Sequence, residues 1–349
     1  MNLSGLYHGA RIGVKLIKSK ITGKPVPVWA WTYITNRCNL DCKYCFVAPY
    51  WDDAKDLSLK EIKKIIDEQK ELGIEMVSLL GGEPTIRKDF GEIVSYIYSK
   101  NMLVDVITNG YFIEKWKDSL KYISSICVSL DGNEEITDEI RGKGAYAMAI
   151  KAIEIAKQYG CTVRIHGVLT KKSMQELPYM AQLSKKYNIS FTCAIASIHR
   201  NEDLLRVSDS EIKQFFTEYL RMKRAGINIG HTEASIKTFL EWPYPYFKIL
   251  EKKDMDANKK VIKCVMKDFL ILLGGTGELY PCTVKYSSNG YDVRKLGLKK
   301  AYEKLKEEDS CYACSDLSCI NLTLIISFAP EIIKETIVKY IREYVKNER

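Results

Sequence analysis

Residues 38–45 read Cys38-Asn39-Leu40-Asp41-Cys42-Lys43-Tyr44-Cys45, which puts three thiols, spaced C-x3-C-x2-C, into a single short loop. Thiolates this close repel one another unless a cationic group gathers them, and soft sulfur donors select zinc, copper(I) or iron–sulfur clusters. A structural zinc site closes with four ligands, often as two C-x2-C pairs. Three ligands with no local fourth suit instead a four-iron cluster that keeps one iron open. Upstream, Val28-Trp29-Ala30-Trp31-Thr32-Tyr33-Ile34 enters the loop as a β-like run. Downstream, Leu79-Leu80-Gly81-Gly82-Glu83-Pro84 ends a second such run in a glycine pair and a carboxylate.

The same alternation continues. Patterning predicts strands over Trp29–Thr35, Glu75–Leu80, Leu103–Thr108, Ile126–Leu130, Thr162–Leu169 and Ser190–Ile195. Helices are expected over Ser58–Gly73, Lys88–Lys100, Glu114–Tyr122, Ala145–Tyr159 and Met174–Tyr187, the first opened by a Ser58/Glu61 capping box. This rhythm demands a parallel sheet with right-handed crossovers, closed as a barrel or part of one. Parallel barrels gather chemistry at the C-terminal ends of their strands. Cys38 follows the first strand, Gly81–Glu83 the second and Asn109 the third, while Ser129 and Asp131 end the fourth. Taken singly, Asn109-Gly110 and Asp131-Gly132 read as ordinary turns.

A chain of 349 residues with 46% hydrophobic and 28% charged residues has the makeup of a soluble globular protein: one large domain and an appendage. It holds no apolar run long enough to span a bilayer, and Arg11, Lys15 and Lys18 stand where a signal peptide needs an apolar core. The clustering of its eleven cysteines favours metal in a reducing cytoplasm over disulfides. Net charge is +9, and residues 1–40 carry Arg11, Lys15, Lys18, Lys20, Lys24 and Arg37 with no acidic side chain. Such a segment suits an anionic membrane or solvent; with no aromatic-interleaved basic strip, nucleic acid is not expected as a partner. Residues 3–20 gather apolar side chains near one helical face, as docking helices and lipid-surface helices both do.

In the C-terminal third, Cys264 and Cys282 flank an apolar run, a glycine turn and a short second run, the pattern of a β-hairpin that draws the two cysteines together. Cys311 and Cys314 follow as C-x2-C, so four thiols can close around a second centre, iron–sulfur or zinc. Cys127, Cys161 and Cys193 fall in or beside strands and read as small core residues. Asp209–Lys223 reads as an amphipathic helix, and Glu241–Tyr246 as an aromatic loop over the core or at a substrate mouth. After the apolar Ile320–Ala329, Ile333, Ile337, Ile341 and Val345 repeat at helical spacing.

C-x3-C-x-aromatic-C, with Tyr44 at the aromatic position, followed by Gly81-Gly82-Glu83 after the second strand, resembles the radical S-adenosylmethionine (SAM) superfamily. The resemblance implies an α/β fold, a partial (β/α)6 TIM-type barrel, over 28–200. It follows a basic segment at 1–27 and precedes a helical linker at 201–262. Cys264, Gly277 and Cys282, the helix at Leu298–Glu308, and Cys311 and Cys314 resemble the twitch form of the SPASM extension, at 263–319, with the apolar tail at 320–349. The full SPASM pattern needs C-x2-C-x5-C-x3-C and a later cysteine; here C-x2-C-x4-C ends at Cys319. That departure implies one auxiliary [4Fe–4S] cluster on Cys264, Cys282, Cys311 and Cys314, with Cys319 as substitute or spectator.

By the same resemblance, Cys38, Cys42 and Cys45 hold a [4Fe–4S] cluster, and Gly81, Gly82 and Glu83 hold the SAM amino group. Asn109 and Ser129 stand at the ribose and carboxylate positions, Tyr44 beside the cofactor, and Arg141 opposite the SAM carboxylate. Thr137 replaces the family's histidine in Thr137-Asp138-Glu139-Ile140-Arg141-Gly142. The implied chemistry is reductive SAM cleavage to a 5′-deoxyadenosyl radical that takes hydrogen from a peptide or small metabolite, in an oxidoreductase or a C–C or C–S bond-forming enzyme. A flavodoxin- or ferredoxin-like electron donor is implied as partner. Modification of a membrane lipid or isoprenoid, with peripheral membrane contact by the two chain ends paired beside the open side of the barrel, is the alternative. A non-catalytic iron–sulfur electron-transfer protein is another.

Overall fold

The computed structural model describes residues 3–47, 56–196, 206–256, 259–286, 289–308 and 311–335. Six strands pair side by side in parallel, in the order β6-β5-β4-β3-β2-β1. They are β1 Trp29–Thr35, β2 Met76–Gly81, β3 Leu103–Thr108, β4 Ser125–Ser129, β5 Thr162–Leu169 and β6 Ser190–Ile195. β1 and β6 are not neighbours in this order, so the barrel is open.

The outer layer is formed by α2 Leu59–Leu72, α3 Phe90–Ser99, α4 Glu134–Arg141, α5 Ala145–Gln158 and α6 Leu177–Tyr187. α2 starts at the expected capping box and stops at Gly73, and it buries Ile62, Ile65, Ile66 and Gln69 against the sheet. The expected helix over Glu114–Tyr122 is instead a kinked 3-10 segment, Ile113–Tyr122, broken at Trp116. Trp116 is held elsewhere: its Nε1 donates to Thr85 O at 2.9 Å and its ring lies 5.4 Å from that of Phe90. Packing of one large ring here overrides helical propensity.

Residues 206–256, expected as a linker, contribute α7 Asp209–Arg224 and α8 Glu233–Leu240 to the main core through Phe215, Phe216, Tyr219 and Phe239. The aromatic loop covers that core: Trp242 and Tyr246 are buried, the latter 4.7 Å from the Phe239 ring. The expected hairpin forms from β7 Leu270–Leu273 and β8 Glu278–Tyr280, with β9 Tyr291–Asp292 beside it. It does not stand apart, because β7 pairs in parallel with β1, Trp29 opposite Leu270 through Thr32 opposite Leu273. The four consecutive leucine and isoleucine side chains of β7 are all buried, Ile271 and Leu273 in the main core and Leu270 and Leu272 in a second cluster on the other face, while the edge of β1 pairs its backbone. α9 Leu298–Glu307 packs on this extension, and α10 Leu317–Ile326 follows.

The N-terminal helix α1, Leu3–Thr22, docks at the N-terminal ends of the strands. There His8, Arg11 and Lys15 converge on Glu75, the buried residue just before β2. α1 thus sits at the end of the strands opposite the cysteine loop, where Glu75 gathers its cations. Its last turn does touch the end of α10, with Lys20 Nζ donating to Ser327 O at 3.1 Å. Ile337, Ile341 and Val345 lie outside the described residues. Among the described residues no helix is long and apolar enough to cross a membrane.

Candidate active site

The cysteine loop leaves β1 through a short, heavily anchored backbone. Asp56 accepts from Thr35 Oγ1 at 2.8 Å and from Asn36 N at 3.2 Å, and pairs with Arg37 at 2.7 Å. The Gly81-Gly82-Glu83 segment lies directly against it, with Gly82 N donating to Thr35 O at 2.9 Å and Glu83 N to Arg37 O at 2.8 Å. Only glycine allows this approach. A Cβ on Gly81 would sit 2.1 Å from Thr35 O, and one on Gly82 2.2 Å from Arg37 O. The glycine pair therefore locks two motifs together that are well separated in sequence.

Within the loop, Cys45 N donates to Cys42 O at 3.0 Å, and Cys38 Sγ accepts from Leu40 N at 3.5 Å and from Asn109 Nδ2 at 3.8 Å. Burial pushes the Cys38 thiol up to about 12 and the Cys42 thiol up to about 11, with Arg141 pulling Cys42 the other way. Three part-buried thiols gathered in one loop make a donor set that needs a cationic group to complete it, which a cluster of iron would supply.

Glu83 is 1% exposed, and its carboxylate is braced by four donors. Oε1 takes Thr108 Oγ1 at 2.8 Å, Thr85 N at 3.0 Å and the Thr85 hydroxyl; Oε2 takes Asn109 N at 2.7 Å. Oε2 has one protein donor and room for another. Burial drives the Glu83 carboxyl above its ordinary range, against those hydrogen bonds. The Asn109 side chain ties the cysteine loop down, donating to Asn39 Oδ1 at 2.9 Å as well as to Cys38.

Arg141 does not stand free for a ligand carboxylate. Its Nε and Nη2 bind Asp131 at 2.8 and 2.9 Å, leaving Nη1. Asp131 also accepts from the Tyr44 hydroxyl at 2.9 Å and from Val168 N at 2.9 Å, while Arg141 lies 5.5 Å over the Tyr44 ring. One buried carboxylate thus joins the cysteine loop, α4 and β5. Thr137, in place of the family's histidine, closes a local turn by donating to Gly132 O at 2.9 Å.

Cys38, Cys42, Cys45, Tyr44, Gly81, Gly82, Glu83, Asn109, Ser129 and Arg141 all line one cavity of about 630 Å³. The cavity continues into the barrel between the aromatic wall of Trp29, Trp31 and Tyr33 and the polar side chains Arg164, His166 and Thr192. Arg164 is neutralised by a bidentate pair with Asp105 at 2.7 and 2.8 Å. Burial, then the charge of Arg141, lower the His166 pKa to about 4, so its ring is neutral; Nδ1 meets Thr192 Oγ1 at 2.8 Å. Sequence reasoning missed Arg164, His166 and Thr192, although polar residues at alternate positions of a strand covered on both faces must point into the barrel.

The residues of the second cysteine set lie at the hairpin and in the loop beside it. Cys264 N donates to Tyr312 O at 2.9 Å, which brings the Cys311–Cys314 loop against the start of the hairpin. Cys314 and Cys264 both act electrostatically on Cys282, and burial pushes Cys264 and Cys282 up to about 12. Cys319 is buried against Cys314, its N–H fixed by Asp316 Oδ1 at 2.7 Å. Among the described residues no three His, Cys, Asp or Glu side chains close tightly enough to hold a single metal ion. Of the remaining cysteines, Cys161 and Cys193 are core residues, whereas Cys127 is buried facing the cavity.

Against known proteins, the radical SAM superfamily profile matches residues 32–183. The probable GTP 3',8-cyclase of Methanococcus maripaludis is 31% identical over 295 residues, 78% of this chain and 93% of that protein. Mycofactocin maturase MftC of Mycolicibacterium smegmatis is 34% identical over 179 residues, 50% of this chain and 45% of the maturase, so the chain spans about half its length. Among solved structures, Streptococcus suis SuiB bound to precursor peptide SuiA superposes with a TM-score of 0.59 at 20% identity, covering 88% of this chain and 67% of SuiB.

Proposed function

Because the chain belongs to the radical SAM superfamily, we propose that it is an enzyme that binds SAM beside a four-iron cluster on Cys38, Cys42 and Cys45 and acts on a peptide or small metabolite. A reduced cluster, when bound, supplies the electron for cleavage of SAM, which delivers a 5′-deoxyadenosyl group able to take hydrogen from the substrate. The protein's own part is placement. Glu83 Oε2 and the Gly81–Gly82 backbone would hold the SAM ammonium, and N–H groups of Leu40 and Asn109 steady the Cys38 sulfur. Tyr44 and Arg141, both fixed by Asp131, shape the wall between them, and Ser129 faces the same space.

The aromatic wall of Trp29, Trp31 and Tyr33 gives the reacting group an apolar surface to lie against. Both arginines on the cavity wall are already paired with aspartates, which fits an uncharged reacting group. SuiB, with its precursor peptide, supports a peptide as substrate. Cys264, Cys282, Cys311 and Cys314 would hold an auxiliary cluster, with Cys319 in reserve, and a flavodoxin- or ferredoxin-like protein would supply electrons.

The observation that carries this reading is the convergence of both barrel motifs on one cavity. Anaerobically reconstituted protein should hold about eight irons and about eight sulfides, and alanine at Cys38, Cys42 and Cys45 should remove half. With SAM and dithionite it should release 5′-deoxyadenosine without substrate. Fully loaded protein that forms none overturns the enzyme reading; about four irons together with zinc overturns the second cluster.

A further inference from the structure

Helix α1 is amphipathic in the reverse sense for a docked helix. Its polar side chains His8, Arg11 and Lys15 turn inward to Glu75, at 3.2, 3.0 and 2.5 Å. On the outward face Tyr7, Ala10, Val14, Ile17 and Ile21 recur at helical spacing, with Tyr7 51%, Val14 65%, Ile17 50% and Ile21 80% exposed. A helix serving only the core would turn that face to the barrel and its charges to water. The rims of the stripe are basic: Lys18 lies along one edge and Lys20, which also reaches Ser327 O, along the other, and residues 1–40 contain no acidic side chain.

We propose that α1 docks flat on the surface of an anionic lipid bilayer, its apolar stripe reaching the acyl boundary and its basic rims meeting the headgroups. Charge selects this occupant. A second copy of the chain laid on the same stripe would bring like-charged rims together. Because α1 lies at the N-terminal ends of the strands, the cysteine loop at the opposite ends is held away from the bilayer. The membrane is therefore a site of attachment for the enzyme, independent of the chemistry and of the substrate's identity.

The test is co-sedimentation of the full chain at low salt with vesicles of phosphatidylcholine alone or with phosphatidylglycerol. Anionic vesicles should pellet the protein, zwitterionic ones should not, and added salt should release it. Ile17→Asp with Ile21→Asp should abolish pelleting while leaving the circular dichroism spectrum and iron content unchanged. Lys18→Glu should weaken binding by roughly an order of magnitude. Protein that ignores anionic vesicles, binds both kinds equally, or still pellets with both aspartates in place overturns the proposal. A dimer that the same double variant dissociates, with no vesicle binding, assigns the stripe to a second copy instead.

Discussion

Glu83 and Asp131 each concentrate several motifs on one buried carboxylate. Replacing Glu83 with alanine leaves Thr85 N and Asn109 N without their acceptor and removes the charge facing the cavity. Glu83→Ala should weaken SAM binding on the order of 1.5–3 kcal/mol, the worth of a charged hydrogen bond, with iron content unchanged. Anaerobic titration calorimetry reads both the affinity and its pH dependence. Since burial raises the Glu83 pKa, affinity for an ammonium group should fall as pH drops through that raised value. Asp131→Ala strands the Arg141 guanidinium, which is buried, and should cost about 3–5 kcal/mol in urea unfolding, as a broken buried pair does. Glu83 was legible because a glycine pair marks it. Asp131 stood out by its place at the end of the fourth strand, but its partners did not, since nothing near it in sequence shows that Tyr44, Arg141 and Val168 N come to the same carboxylate.

At the scale of elements, alternation of apolar runs with amphipathic stretches located all six barrel strands to within a residue or so, because each is covered on both faces and needs an apolar run. Where the reading fell short, a non-local partner decides: Trp116 kinks its helix to reach Phe90, and β7 finds β1 across most of the chain. β5 carries a further consequence of its inward positions. His166 on β5 and His231 after α7 are buried and neutral, with pKa values lowered to about 4 and about 3. The unfolded chain binds protons near pH 6.5 where the folded one does not, so stability is fullest above that pH and declines as pH falls towards those values. The loss should reach roughly 2 kcal/mol per histidine by about pH 5. Urea midpoints for the cluster-free protein should show that slope, and His231→Gln should remove its share. A slope unchanged by both His166→Gln and His231→Gln counts against neutral burial.

For the molecule as a whole, the clustering of the cysteines into two sets shows in their spacing alone. Their mechanical dependence on one another does not. The second set reads as an appended unit, yet β7 forms the parallel neighbour of β1, the strand that delivers Cys38, and Leu298 N binds Glu68 Oε2 of α2 at 2.6 Å. Removing everything after residue 262 would leave β1 as an edge, with its ladder groups unpaired and its buried side chains uncovered. The main core would also lose Ile271, Leu273, Leu279, Leu298 and Leu305. At about 1.5–3 kcal/mol for each such side chain, that loss matches or exceeds the net stability of a typical domain. Residues 1–262 alone should therefore be insoluble or fail to load iron, and the intact cluster-free chain should unfold in one transition by both fluorescence and circular dichroism. A soluble, monomeric 1–262 fragment that binds about four irons would show that the barrel stands without its extension.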